Sequence, residues 1–215
     1  MVLPFRGGRV ALDRIPEAKV TEAPVEGVFD PSRKVNRFAV ISDSHIGAYQ
    51  AQPAYIRAVF QEAERRGCSA VLHCGDHMDG SPRVHAGFTY ELGLNSVDQH
   101  VDFTAALYQE SQVPILAITG NHDGSWFKDC GIDVGRILEE RCDNFTHIGP
   151  IEGWIAGPSG DPNFIRLFHP GDGSSYALSY KAQKTAEYLG SEQWQEPIRL
   201  PPHRPLSQAK PDARA

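Results

Sequence analysis

Along the middle of the chain, short apolar runs alternate with segments of helical period, and each run ends in a polar cluster. Residues 37–42 (Arg-Phe-Ala-Val-Ile-Ser) form a β-prone run that ends in Asp43-Ser44-His45-Ile46-Gly47. Residues 53–66 then carry Ile56, Val59, Phe60 and Ala63 at helical spacing, with Pro53 at the start and Gly67 as a stop. A second run, 70–74, ends in Gly75-Asp76-His77-Met78-Asp79-Gly80. A helix is predicted to open at Ser96, where Ser96 and Gln99 fit a capping box and Val97, Val101, Thr104 and Tyr108 share a face. A third run, 114–119, ends in Gly120-Asn121-His122-Asp123-Gly124. Beyond it the pattern predicts a helix over 131–141, anchored by Ile132, Ile137 and Leu138. Short strands follow at 145–148 and 154–156, and another at 164–168 that ends in His169-Pro170-Gly171. A last helix is expected over 176–189.

Strand, helix, strand, helix, strand is the signature of a parallel sheet. Ligand sites in such sheets lie beyond the carboxyl ends of the strands, where all the polar clusters fall. The ends of the chain read differently. Pro4, Pro16, Pro24 and Pro31 interrupt residues 1–35, and Pro/Arg alternation marks 191–215. Both are expected to be poorly ordered tails unless something docks them. The structured unit is then 36–190, one domain, as the length alone suggests.

Composition narrows the function classes. With 21 Lys+Arg against 27 Asp+Glu, the formal net charge is −6, which argues against a broad basic footprint for nucleic acid or anionic membrane. A small phosphate held by metals remains compatible with it. No run of about 18 apolar residues suggests a membrane span, and residues 1–10 lack the apolar stretch of a signal peptide. Four cysteines without a CxxC pair suggest reduced thiols in a cytoplasmic protein.

The residues at the strand ends carry the chemistry: Asp43, His45, Asp76, Asn121, His122, Asp123 and His169. Carboxylate, imidazole and amide oxygen suit divalent Mn, Fe, Zn or Mg, with no thiolate needed. Asp43 and His45, two apart at a strand end, can lie on one side and chelate one ion. Asp76 has two oxygens and can bridge two ions, and Asn121 adds a neutral oxygen. Each cluster alone has a plainer reading, as a turn, a helix cap or a packed histidine. Their conjunction in this order is the informative feature.

In that order, D-x-H, G-D-x-x-D, G-N-H-D and then a lone His, the sequence resembles the calcineurin-like metallophosphoesterases over residues 36–190. The stretch from His169 to Lys184 is similar to a segment of phage and prokaryotic members. The resemblance implies a sandwich of two packed mixed sheets flanked by helices. It implies two divalent ions, Mn foremost, with Asp43 and His45 on the first, Asp76 bridging, and Asn121 and His169 on the second. It makes His122 the group that protonates the leaving oxygen, with Asp123 orienting it. Asp79 then supports the loop after Asp76, and His77 stands next to the bridging ligand as a further candidate. The implied reaction is in-line attack on phosphorus by a hydroxide held between the ions. The implied substrate is a small phosphate ester or nucleotide.

One element of the family pattern is missing. The chain has no Gly-His-x-His, so each ion is expected to be one protein ligand short. A fold truncated at its C-terminal side by a gene truncation or frameshift after about residue 190 accounts for the changed composition there. Alternatively, His77, His147, His203, water or another subunit completes the sites. A degenerate metal- or partner-binding protein and a DNA nuclease of the same family are the rival functions.

Overall fold

Parallel pairing of the first three apolar runs brings their carboxyl ends to one edge, and the rest of the fold is arranged around that edge. The computed structural model describes residues 24–84, 91–158 and 165–170, together with Gln183 and Glu187. The predicted helix over 176–189 lies outside the described residues except at Gln183 and Glu187, which are helical. Residues 1–23 and the tail beyond 187 also lie outside them. The chain divides into two units, 1–171 and 172–215. All elements named below belong to the first.

In chain order these are β1 (Phe38–Ile41), α1 (Pro53–Arg65), β2 (Ala70–Cys74), α2 (Val97–Tyr108), β3 (Ile115–Ile118), α3 (Asn121–Cys130), α4 (Val134–Arg141), β4 (Phe145–Gly149), β5 (Glu152–Ile155) and β6 (Ile165–Phe168). Strands β1-β2-β3-β4 form one sheet, parallel throughout. Strands β5 and β6 form a second, antiparallel one. The sandwich expected from the sequence is present in this form.

The parallel sheet buries both faces, as its near-continuous apolar strands require. Val71, Ile115 and Ala117 face a core built with Ile56, Phe60 and Ala63 of α1, Val101, Ala105 and Tyr108 of α2, Trp126 of α3, and Val134 and Leu138 of α4. Their alternates Ala70, Leu72, Leu116 and Ile118 face Ile148, Ile155 and Leu167 in a second core against the antiparallel pair. Val25, Val28 and Phe29 pack on that second core. Val25 also pairs with Ile155, donating to the Trp154 carbonyl at 2.9 Å. Val25, Val28 and Phe29, within the stretch assigned from its prolines to an N-terminal arm, thus lie against the second core.

Local signals explain most element ends. Ser96 Oγ accepts from the Gln99 amide, while the Gln99 side chain reaches Asn95 N. The predicted helix over 131–141 needs correction. Helix α3 ends at Cys130, Gly131 turns the chain at φ 74°, and Asp133 caps α4 through the Arg136 amide. Ile132 therefore lies in a turn. Helix α3 escaped the sequence reading because Asn-His-Asp-Gly-Ser is a run of weak helix formers. Its start rests on tertiary hydrogen bonds, described below. Among the described residues no helix is long and apolar enough to cross a membrane.

Edge and inner strands make a stability contrast. Val40 and Leu72 are register partners on one face, but Val40 is 64% exposed and Leu72 3%. Leu72→Ala is expected to cost about 2–5 kcal/mol in urea denaturation, and Val40→Thr no more than about 0.5 kcal/mol.

Candidate metal centre

The loop after β1 stays tied to the loop after β2 beyond the end of the sheet. The amides of Asp43, His45 and Ile46 donate to the carbonyls of Gly75, Asp76 and His77 at 3.0, 3.1 and 2.9 Å, and Asp79 N returns to Ile46 O at 3.0 Å. This lacing is accompanied by left-handed backbone at three residues that are not glycine: Asp43 (φ 55°), His45 (φ 42°) and Asp76 (φ 54°). Such conformations cost of order 1–3 kcal/mol each and collect at functional sites. Here they fall on three of the five residues predicted to bind metal.

Two glycines make room for the carboxylate and imidazole between the loops. A Cβ on Gly120 would lie 2.1 Å from Asp76 Oδ1, and one on Gly75 would lie 2.7 Å from His169 Nδ1. Gly75 is also left-handed, at φ 96°. The Gly-Asp and Gly-Asn pairs of the sequence are therefore steric requirements of the site.

Asp76 is the meeting point. Its carboxylate is buried, 3% exposed. Oδ1 accepts from the His122 amide at 2.9 Å. Oδ2 lies 3.2 Å from His169 Nε2 and 3.8 Å from His45 Nε2. His45 Nε2 is also 3.8 Å from Asp43 Oδ1, and His169 Nε2 is 3.0 Å from Asn121 Oδ1. The five predicted ligands thus fall into two groups sharing one oxygen: Asp43, His45 and Asp76 on one side, Asp76, Asn121 and His169 on the other. The first group presents its donor atoms within 4.8 Å of one another.

The imidazoles are oriented from behind. His45 Nδ1 lies 3.0 Å from Asp79 Oδ1. His169 Nδ1 lies 2.8 Å from the Cys74 carbonyl. A proton on each Nδ1 can be donated to these oxygens, the arrangement that metal-binding histidines commonly adopt. Oxygen and imidazole donors at this spacing fit a hard or borderline divalent ion.

The remaining predicted residues fall in different places. His122 stands edge-on to His45 with ring centroids 4.5 Å apart, and its Nδ1 is 3.1 Å from the Asp79 carbonyl. His45, Asp79 and His122 form a second group with donor atoms within 4.8 Å. In that group Asp79 already engages His45 Nδ1, so its geometry suits an orienting carboxylate. Asp123, expected behind the His122 imidazole, instead points into the protein. It accepts from the amides of His77 (3.1 Å), Met78 (3.0 Å) and Gly120 (3.0 Å), pinning the loop after β2 to the start of α3. The carboxylate beside His122 is Asp79, 3.8 Å from Nδ1. The His77 ring lies in the core, its nitrogens 2.7 Å from Tyr108 Oη and 2.9 Å from the Ile118 carbonyl. His147 lies near Thr119, and His203 is outside the described residues. Sequence reasoning missed Ser44, whose hydroxyl sits 2.6 Å from His73 Nε2 and ties the Asp43–His45 turn to β2. A polar residue inside the apolar run of β2 was the available signal.

Electrostatics separate the two histidine populations. The hydrogen bond to Asp76 raises His169 to about 9, and the bond to Asp79 raises His45. Burial works against Asp76 ionising, yet His169 and the His122 amide together hold its pKa below the ordinary value. Burial pushes His73 well down and His77 down, so both are neutral core rings. Burial also raises the Cys74 thiol, which suits an inert packing role.

Comparison with known proteins bears on this arrangement. The family model for calcineurin-like phosphoesterases (Metallophos) matches residues 36–211. It therefore runs past residue 190, where the motif resemblance ended. No curated protein matches the chain. Among solved structures, the crystal structure of Pseudomonas putida nuclease MPE is similar at 19% identity and a TM-score of 0.30, over 57% of this chain and 52% of that one. The chain thus spans about half the length of that structure.

Two measurements on metal-free protein test the geometry. Asp123→Ala strands three amide donors and is expected to cost on the order of 3 kcal/mol in urea denaturation, whereas Asp43→Ala, at an exposed carboxylate, should cost less than about 1 kcal/mol. The His169–Asp76 pair also predicts a pH dependence. Because His169 is raised in the folded state, its contribution is complete below its ordinary value of 6.5 and fades as pH climbs through about 9. On the acid side the contribution fades as Asp76 protonates. Thermal melting against pH should show the alkaline decline, and His169→Gln should flatten it.

Proposed function

The chain belongs to the calcineurin-like phosphoesterase family, and on that premise we propose that it hydrolyses phosphate esters with the help of two divalent ions, manganese foremost. The observation that carries this reading is the shared Asp76 oxygen, which stands between an Asp43–His45 pair and an Asn121–His169 pair. A buried carboxylate needs a cationic partner, and the ion pairs seen for Asp76 are with histidines. Asp43, His45 and Asp76 would hold one ion; Asp76, Asn121 and His169 would hold the other. Ions bound there supply Lewis-acid activation of water and neutralise charge on phosphate oxygens.

The protein's own groups account for the rest. Asp79 and the Cys74 carbonyl keep His45 and His169 in the tautomer that turns Nε2 inward. His122 accompanies the site from α3, its Nδ1 directed at the Asp79 carbonyl. Its Nε2 is then the atom to deliver a proton to a departing alkoxide. Asp123 serves this chemistry indirectly, by fixing the loop that carries Asp76 to the helix that carries His122. The four cysteines are free thiols, which suits a reducing, cytoplasmic setting.

A second reading rests on the absent Gly-His-x-His: a protein that binds metal without turnover. One assay separates the two. Purified protein with added Mn²⁺ should hydrolyse p-nitrophenyl phosphate, EDTA should stop it, and Asp76→Ala should abolish it with circular dichroism unchanged. Wild-type rates no higher than those of Asp76→Ala would leave only the binding role. Within the hydrolase reading, His122→Ala should lower kcat by about 10²–10⁴-fold for an alkyl phosphate. The loss should be smaller for p-nitrophenyl phosphate, whose leaving group needs little protonation.

A further inference from the structure

Beyond Asp79 the loop after β2 is fastened to α3 at two successive turns. Ser125 Oγ accepts from the Ser81 amide at 2.8 Å and donates to the His122 carbonyl at 2.6 Å. One turn further along the helix, the Asp129 carboxylate accepts from the Ser81 hydroxyl and pairs with Arg83 at 3.2 Å. Ser81 is 1% exposed and Ser125 6%, so these groups depend on one another instead of on water.

Gly80, at φ 79°, lets the loop come this close. A Cβ there would lie 3.0 Å from Ser125 Oγ, 3.2 Å from the His122 carbonyl oxygen and 3.3 Å from His122 Nδ1. The peptide bond that enters Gly80 presents the Asp79 carbonyl, 3.1 Å from that same Nδ1. A carbonyl oxygen only accepts, so this bond requires the proton on Nδ1. The direction of the His122 ring therefore follows from where Gly80 and Ser81 lie, and Ser125 holds them there. A serine in the first turn of a helix often bonds back to its own helix, and the contact with the His122 carbonyl alone would be no more than that. The Ser81 amide makes the difference: one hydroxyl joins the backbone of His122 to the loop that holds the His122 ring.

Resting on the hydrolase reading above, we propose that Ser125 is a positioning residue for proton donation: its hydroxyl, with Gly80 allowing the close approach, holds the Asp79 carbonyl against His122 and so fixes the tautomer and aim of that ring. Ser125 acts through His122 and touches no reacting atom. Its removal lets the ring turn, and displacement of a catalytic group by about an ångström can cost on the order of 10²-fold in rate.

The test is a double-mutant cycle on the full chain with Mn²⁺. It is read on glycerol 1-phosphate, whose departing alkoxide needs a proton, and on p-nitrophenyl phosphate, whose leaving group needs little. Ser125→Ala should lower kcat for glycerol 1-phosphate by about 10–100-fold, with KM and the p-nitrophenyl phosphate rate little changed. Ser125→Thr, which keeps the hydroxyl, should recover most of the rate. In the His122→Ala background, Ser125→Ala should add no further loss. No loss on glycerol 1-phosphate, equal losses on both substrates, or a loss that persists without His122 would overturn the positioning role and leave the hydrolase reading standing. The tautomer of His122, read by nitrogen NMR on metal-free protein in mildly alkaline buffer, is independent of turnover. Wild type and Ser125→Thr should carry the proton on Nδ1, and Ser125→Ala should shift it toward Nε2. Should the protein hydrolyse no ester at all, this measurement decides alone, and an unchanged tautomer in Ser125→Ala overturns the proposal. If Ser125→Ala does not fold, Asp129→Ala, which releases Ser81 from the next turn of α3, takes its place in both measurements.

Discussion

A buried carboxylate, Asp76, is the constraint on which the rest of the site depends. At 3% exposure it cannot rely on water. Its charge is held by the His122 amide and by two imidazoles that reach it from different loops. Removing any of these would leave an ionised group unsolvated in the interior, which is costly. Three loops and one strand of the second sheet are thus obliged to converge. The convergence also brings Asp43 beside His45 and Asn121 beside His169.

That convergence is bought with local strain and with space. Asp43, His45 and Asp76 hold left-handed backbone that few non-glycine residues adopt. They keep it because the Asp43 and His45 amides, donating to the Gly75 and Asp76 carbonyls, extend the β1–β2 ladder past its last strand pair. Gly75 and Gly120 leave the volume that His169 and Asp76 occupy. Asp123 completes the frame by accepting three amides from two different loops. The hydrogen bonds of the surrounding backbone offset the strain and fix where these side chains stand.

The same frame sorts the histidines by role. His45 and His169 sit against carboxylates, and their pKa values rise. His73 and His77 stack on each other in the core with ring centroids 3.9 Å apart and stay neutral. His77 is adjacent in sequence to Asp76, yet its ring serves the core, bonded to Tyr108 and the Ile118 carbonyl.

The three motif loops and the strands leading into them were legible in the sequence. Apolar runs of strand length have few alternatives, and the polar clusters that follow them fall at the ends of those strands. Asp43, His45, Asp76, Asn121 and His169 do meet. Helix α3 was not legible, because its first turn is held by Asp123 and the loop after β2 instead of by helix propensity. The partners of Asp79 and Asp123 were not legible either: spacing said that both stand near the centre, and the folded chain turned one toward the imidazoles and the other toward the backbone. Sequence alone determined which donors would reach the sheet edge, since that follows from local pattern. Only the tertiary structure decided which way each donor faces, since that depends on the sign of φ in the loops and on hydrogen bonds between segments far apart in the chain.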